Sequence, residues 1–278
     1  MTAFDQADLK LLTDLIQERF GLTFQGIRQE ILASRLRPRL RELHLESPRD
    51  YYEYLRFHPE RTAEFARLPA MVTNNETYFF RETNQFDVLI DHVIPERRAA
   101  LHARPLRLLS AACSSGEEPY SLAIALHNAG LPLTGITWEI DACDLNADRI
   151  ARARNAVYDE TSLRACDAEA RTRYFTGEQK RFRLKARYRE GVRFFMANLL
   201  APNGQLGWPV YDVILCRNLL IYFSESAFDD LIKLFARWLV PGGYLFLGHS
   251  ESLIDRTTEF VPVVVGGAVV YRKDAPGR

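Results

Sequence analysis

The sequence predicts an α/β protein, with a parallel sheet in the larger part of the chain and a small all-helical domain before it. Three observations predict this. No stretch of the first 70 residues alternates with period two, whereas from Leu106 onward short apolar runs are separated by helical stretches. The 278 residues, 47% apolar and 26% charged, suffice for about two domains with a sizeable core.

In the first part, Leu9, Leu12, Ile16 and Phe20 recur at helical spacing, so Asp5 to Phe20 reads as an amphipathic helix capped by Asp5 and stopped by Gly21. A second stripe, Leu32, Leu36, Leu40 and Leu43, is flanked by Arg28, Arg35, Arg37, Arg39 and Arg41, and Pro38 should kink or interrupt it. Short helices are expected through Tyr51 to Leu68. In the second part the strands fall at Leu106 to Ala112, Thr137 to Cys143, Val192 to Met196, Tyr211 to Cys216 and Tyr244 to Leu247. The segment Arg171 to Arg193 breaks the alternation. It holds a hairpin turn at Gly177, and ten Lys/Arg lie between Arg164 and Arg193, so it reads as a small insertion. Val261 to Arg272, with Gly266 and Gly267 between two β-rich pieces, reads as a closing hairpin. Lys273 to Arg278 is linker-like, as at a junction to a further domain.

Charge and cysteine usage narrow the function classes. With 36 Lys+Arg against 36 Asp+Glu, holding DNA by bulk charge is disfavoured. Cys113, Cys143, Cys166 and Cys216 stand apart without a C-x-x-C pair, which fits reduced, buried thiols in a cytoplasm. The N-terminus lacks an apolar h-region and the longest apolar run, Val261 to Tyr271, is too short for a bilayer, so a soluble, non-exported protein is expected. His44, His58, His92, His102, His127 and His249 are dispersed, which disfavours a metal site. Trp138, Trp208 and Trp238 read as structural.

The run Leu109-Ser-Ala-Ala-Cys-Ser-Ser-Gly-Glu-Glu-Pro-Tyr-Ser121 follows a strand and opens a helix, with a serine as cap and Pro119 in the first turn. Glu117 and Glu118 would repel a phosphate at that helix start, which argues against NAD, FAD and ATP. A cationic, phosphate-free nucleoside such as S-adenosylmethionine suits it. Asp144, ending the second strand, can accept both ribose hydroxyls. The plainer alternative is that the glutamates favour the helix dipole and Asp144 caps the following helix.

Read with four further motifs, the chain resembles the CheR family of chemotaxis-receptor methyltransferases over nearly its whole length. The resemblance rests on Thr73-Asn-Asn-Glu-Thr-Tyr-Phe-Phe-Arg-Glu82, Ser110-Ala-Ala-Cys-Ser-Ser-Gly-Glu-Glu-Pro-Tyr-Ser121, Cys143-Asp-Leu-Asn146, Ala197-Asn-Leu199, Cys216-Arg-Asn-Leu-Leu-Ile-Tyr-Phe223 and Gly248-His-Ser-Glu251. It implies a Rossmann-like class I methyltransferase sheet with an N-terminal all-helical domain and a small inserted antiparallel β-subdomain. The implied division is residues 1–75 helical, 76–91 a linker contributing to the cofactor site, and 92–278 the methyltransferase domain, with the insertion at about 171–195. The implied reaction is S-adenosylmethionine-dependent methylation of glutamate side chains on the cytoplasmic helical bundle of a bacterial chemoreceptor. Its products are a methyl ester and S-adenosylhomocysteine.

By the same resemblance, Asn75, Thr77, Arg81, Glu118, Asp144, Asn198, Leu199, Arg217 and Asn218 contact the cofactor, and Tyr222 lies near the transferred methyl. Arg81 holds either the cofactor carboxylate or the substrate carboxylate; both suit a bidentate guanidinium. Tyr222 either orients the attacking oxygen or packs at a strand end. Phe79 and Phe80 either stack on adenine or belong to the core. Phe175-Thr-Gly-Glu-Gln-Lys-Arg-Phe-Arg-Leu184 is short, with one glycine, where family members that grip a receptor peptide have a longer, glycine-richer loop. Direct engagement of the methylated helices by a monomer is therefore expected, without nucleic-acid binding or membrane insertion. Arg28, Arg35, Arg37, Arg39 and Arg41 would face the acidic receptor.

A substrate glutamate, with an ordinary pKa of about 4.3, is ionised at neutral pH and needs no general base. Three rival readings stand beside this one. Adenine-N6 methyltransferases present an Asp/Asn-Pro-Pro-aromatic turn where this chain has Arg217-Asn-Leu-Leu220. A non-catalytic adaptor would share the cofactor pocket. A nicotinamide dehydrogenase conflicts with the broken glycine pattern.

Overall fold

The computed structural model describes residues 4–73, 76–101, 104–177, 180–200 and 210–274. They form two compact units: Met1–Asn74 with Leu220–Leu231, and Asn75–Leu219 with Ile232–Arg278. The segment Leu220–Leu231, which the sequence pattern assigns to the larger domain, thus clusters with the helical one.

In the first unit, α1 (Gln6–Phe20) starts where Asp5 Oδ1 accepts the backbone N–H of Ala7 at 2.7 Å, and ends at Gly21, left-handed at φ 72°. It buries Leu9, Leu12, Leu15, Ile16 and Phe20. The next helix, α2 (Ile27–Glu42), buries Leu32, Leu36 and Leu40. Pro38 does not interrupt it: the helix continues through the proline to Glu42. Both Pro38 and Ser34, whose carbonyl the proline leaves without an intrahelical donor, are exposed, so water can satisfy that carbonyl. Two further helices complete the unit. A capping box of Ser47 and Asp50 opens α3 (Pro48–Phe57), and α4 (Arg61–Val72) follows.

These helices are tied by a buried polar knot. The Tyr51 hydroxyl donates to Glu64 Oε1 at 2.7 Å, and Arg39 donates to both Glu64 oxygens, with Nε at 2.8 Å. Glu64 is only 3% exposed. Burial alone would raise its carboxyl, but the hydrogen bonds from Arg39 and Tyr51 hold it below the usual range. Arg39 is therefore committed to the Glu64 carboxylate and ties α2 to α4. Arg35 donates to the carbonyls of Met71 and Thr73, and Arg37 lies over the Phe4 ring. The side chain of Arg41 stays exposed on the helix.

The second unit opens with α5 (Asn84–Val88), a π-helical turn (Leu89–Val93) and α6 (Ile94–Leu101). The alternation then runs β1 (Leu106–Ala111), α7 (Glu117–Asn128), β2 (Trp138–Asp144), α8 (Ala147–Asn155), β3 (Val157–Tyr158), α9 (Ala168–Tyr174), β4 (Phe175–Thr176), β5 (Phe182–Leu184) and β6 (Val192–Met196). It ends with β7 (Tyr211–Cys216), the second half of α10 (Glu225–Trp238), whose residues up to Leu231 cluster with the first unit, β8 (Leu239–Leu247), β9 (Phe260–Val265) and β10 (Ala268–Lys273). Seven strands pair in the order β6-β2-β1-β7-β8-β10-β9. The first five are mutually parallel, and β10 is antiparallel to both of its neighbours. The unbroken burial of β7 is that of a strand covered on both faces.

The small second sheet, β3-β5-β4, is antiparallel. It begins at Val157, earlier than the expected insertion, and the expected end of the insertion belongs to β6 of the main sheet. Gly177 makes the β4–β5 turn at φ 138°, where a Cβ would lie 2.2 Å from the Arg181 carbonyl oxygen. Phe79 is fully buried, edge-on to Tyr158 and Phe175 at 4.8 and 4.9 Å, and so belongs to the core. Trp138 and Trp238 are packed likewise; Trp208 lies outside the described residues.

Replacing Arg39 by Ala strands the Glu64 carboxylate and is expected to lower the unfolding free energy by about 3 kcal/mol in urea titrations, whereas Arg41→Ala leaves it unchanged. The Arg39–Glu64 contribution is present above the ordinary carboxylate pKa and disappears as pH falls through the depressed Glu64 value, so the two proteins converge in stability under acid conditions.

Candidate functional site

Register places the site. Ala111 of β1 pairs with Cys143 of β2 on one side and with Cys216 of β7 on the other. The next residue of each strand path, Ala112, Asp144 and Arg217, therefore emerges on one carboxyl edge, where open α/β sheets bind their ligands.

The loop after β1 is shaped by left-handed backbone at Ala112 (φ 62°), Ser114 (φ 49°) and Gly116 (φ 91°). Gly116 itself is the N-cap of α7, and no serine side chain caps that helix. The reason is space. A Cβ on Gly116 would stand 2.9 Å from Ala153 Cβ and 3.1 Å from the Tyr158 hydroxyl. Tyr158 in turn donates to the Ser115 carbonyl at 2.9 Å, fixing the loop from below.

The two glutamates that follow have separate fates. Glu117 is 1% exposed and accepts from the hydroxyls of Ser115 and Ser162 at 2.8 Å each. Burial raises its carboxyl against those hydrogen bonds. It is a structural tie and faces no crevice. Glu118 points to the sheet edge, where Oε1 accepts from Ser110 Oγ at 2.6 Å and Oε2 from Arg217 Nη1 at 3.1 Å.

Arg217 is the centre of this edge. Its side chain is 2% exposed and pairs with Glu118 on one side and with Glu82 at 3.2 Å on the other. Its Nη2 donates to the Arg81 carbonyl at 2.5 Å. The buried Nε finds no acceptor among the described residues. An orphan guanidinium donor carries a penalty that an acceptor-bearing ligand would relieve.

Asp144 is also buried. Its Oδ2 accepts the Ser114 N–H and its Oδ1 the Asn146 N–H, both at 2.8 Å. Burial raises its carboxyl, with the two backbone N–H groups opposing. Each oxygen keeps a lone pair for a further donor, such as a ribose hydroxyl. The cap of α8 is Asn146 and not Asp144.

The remaining expected residues are placed unevenly. Arg81 donates to the Glu76 carbonyl at 3.2 Å and sits 5.8 Å from the Tyr78 ring centre. Thr77 is half-buried. Asn198 Oδ1 accepts the Leu200 N–H, and Leu199 is buried. Asn218 is left-handed at φ 57° and donates its N–H to Glu251. Asn75 lies outside the described residues. Tyr222 belongs to the first unit, where its carbonyl accepts the Thr23 N–H and Arg28 stacks 4.7 Å over its ring. Arg28 thus supports Tyr222. Sequence reasoning missed Glu82 and Glu251, although both end motifs it had singled out.

Among the described residues no group of His, Cys, Asp and Glu gathers to hold a metal ion. The four cysteines are free and buried. Burial holds the thiols of Cys113 and Cys216 well above their ordinary value and pushes that of Cys143 up to about 12, so none is a ready nucleophile.

The family profile described as CheR methyltransferase, SAM binding domain matches residues 75–266, and that described as CheR methyltransferase, all-alpha domain matches residues 7–68. Chemotaxis protein methyltransferase 1 of Pseudomonas aeruginosa is 33% identical over 96% of this chain and 97% of its own length. The chemotaxis protein methyltransferase of Vibrio parahaemolyticus is 33% identical over 98% and 99%. The probable biofilm formation methyltransferase WspC of P. aeruginosa is 33% identical over 93% of this chain, which spans 60% of that relative's length.

The chemistry of the edge fits S-adenosylmethionine: an acceptor pair at Asp144, an orphan donor at Arg217 and a bare backbone at Gly116. Asp144→Asn is expected to weaken S-adenosylhomocysteine binding about tenfold or more in calorimetry. Ligand hydroxyls favour the ionised carboxylate, so wild-type affinity falls as pH drops toward the raised Asp144 pKa, and the Asn variant loses that dependence.

Proposed function

Because the chain belongs to the CheR methyltransferases, we propose that it transfers a methyl group from S-adenosylmethionine to glutamate carboxylates. The substrate would be the cytoplasmic helical bundle of a bacterial chemoreceptor, and the products glutamate methyl esters and S-adenosylhomocysteine. The observation that carries this reading is the convergence of Asp144 and the Glu118–Arg217–Glu82 cluster on one sheet edge, in a chain whose family profile is that of a methyl-donor domain.

When bound, the cofactor supplies an electrophilic methyl on a positively charged sulfur. Asp144 receives the ribose hydroxyls, while Thr77, Asn198, Leu199 and Asn218 line the remainder of the pocket. Arg217 donates through its free Nε–H to the amino-acid carboxylate. The two carboxylates, Glu82 and Glu118, offset the charges of Arg217 and Arg81, so the cluster carries no excess positive charge against a cation. Arg81, held through its carbonyl by Arg217 and through one guanidinium nitrogen by the Glu76 carbonyl, would turn its remaining N–H groups to the cofactor carboxylate or the substrate carboxylate. The substrate glutamate arrives ionised, and catalysis consists of holding its oxygen in line with the methyl in a site that excludes water.

Tyr222 orients that oxygen through its hydroxyl, its ring fixed by Arg28. Receptor docking by the helical unit then falls to Arg35, Arg37 and Arg41, with Arg39 committed to Glu64. The enzyme works as a cytoplasmic monomer; no helix is long and apolar enough to cross a membrane among the described residues. Adaptation of a sensory response is the process served.

The test is a methyl-transfer assay with a receptor cytoplasmic fragment and labelled methyl donor. Base-labile label on the receptor supports the reading; cofactor binding without ester formation overturns it in favour of an adaptor. Tyr222→Phe is expected to lower turnover about tenfold or more at unchanged S-adenosylhomocysteine affinity, the pattern of a group that acts in the transition state.

A further inference from the structure

Two carboxylates outside the cofactor contacts implied by resemblance grip the Arg217–Asn218 pair. Glu82 adopts a left-handed backbone (φ 53°), and its side chain meets Arg81 at 4.0 Å as well as three closer partners. Its Oε2 faces Arg217 at 3.2 Å and accepts from Gln85 Nε2 at 3.3 Å, and its Oε1 meets His249 Nδ1 at 2.9 Å. Burial alone would raise this carboxyl, but the His249 hydrogen bond and the Arg217 charge hold it below the usual range. Gln85 also donates to the Leu247 carbonyl at 2.7 Å, linking the segment to the end of β8.

Glu251 is 8% exposed and clamps the neighbouring residue. Its Oε2 accepts the N–H of Asn218 at 2.9 Å and that of Gly248 at 2.7 Å. Asn218 sits at φ 57°, a conformation that needs outside support in a residue with a side chain. Gly248 leaves no slack: a Cβ there would stand 2.7 Å from Asn218 Nδ2 and 2.9 Å from Glu251 Oε2.

We infer that Glu82 and Glu251 are positioning residues of the methyl-donor pocket, and that the Gly248-His-Ser-Glu251 turn is the brace through which they act. Glu82 fixes the direction and charge balance of the Arg217 guanidinium. Glu251 fixes the left-handed turn that presents Asn218. Neither touches the reacting atoms. A guanidinium with one carboxylate in place of two is free to rotate its donors away from the ligand, and an untethered Asn218 relaxes out of its turn.

This inference rests on the cofactor reading above, and calorimetry of the full chain with S-adenosylhomocysteine separates the two. If the wild-type protein does not bind, the cofactor reading fails. If it binds, Glu82→Gln and Glu251→Ala are expected to weaken binding about tenfold or more. Glu251→Gln, whose amide oxygen can still accept both N–H groups, should recover most of the affinity. Glu96→Gln serves as a comparison, because Glu96 accepts the Tyr244 hydroxyl and the Arg272 guanidinium away from this edge. It should shift the melting temperature without moving the dissociation constant. Should Glu251→Ala fail to fold, Gly248→Ala, which pushes on the same clamp, gives the reading with Glu82→Gln. Variants that fold and bind like wild type, or an affinity loss that Glu251→Gln fails to recover, would overturn the inference.

Discussion

A guanidinium stripped of water organises this structure. Arg217 is 2% exposed, and a buried cation without neutralising partners would cost several kcal/mol. From the end of β7 it reaches partners in two distant stretches of sequence: Glu82 with the Arg81 carbonyl, and Glu118 on the first turn of α7. Satisfying one side chain therefore fixes the segment before the sheet, the loop after β1 and the turn after β7 in relation to each other.

The contrast between neighbouring glutamates shows how far composition can mislead. Glu117 and Glu118 look equivalent at a helix start, both suited to its dipole. In the structure only Glu118 reaches the edge, whereas Glu117 turns inward to the hydroxyls of Ser115 and Ser162. The difference follows from helical geometry: consecutive residues point about 100° apart around the axis, so one carboxylate is committed to the interior and the other to the crevice.

Much of the fold was legible because its signals are local. The ends of β6 and β7, the Asp5 cap and the Gly21 stop all follow from short patterns, and the structure has them where those patterns lie. What stayed hidden depends on contacts across the sequence. Nothing near Arg39 reveals that Glu64 and Tyr51 will bury it. Pro38 reads as a break until the solvent exposure of its face is known. Gly116 replaces a serine cap because Ala153 and Tyr158 crowd the loop, and both lie more than thirty residues away. In the site, Asp144 and Arg217 were visible as strand-end residues, but Glu82 and Glu251 emerged only once β8 was seen beside β7.

The cysteines add a consequence of a different kind. Three of the four lie on or next to the central strands, all four are buried, and burial keeps those thiols protonated. A protonated sulfur under a closed core offers oxidants and alkylating agents no purchase. The cysteines thus serve the sheet as small apolar packing residues, with their sulfurs withdrawn from the chemistry of the edge.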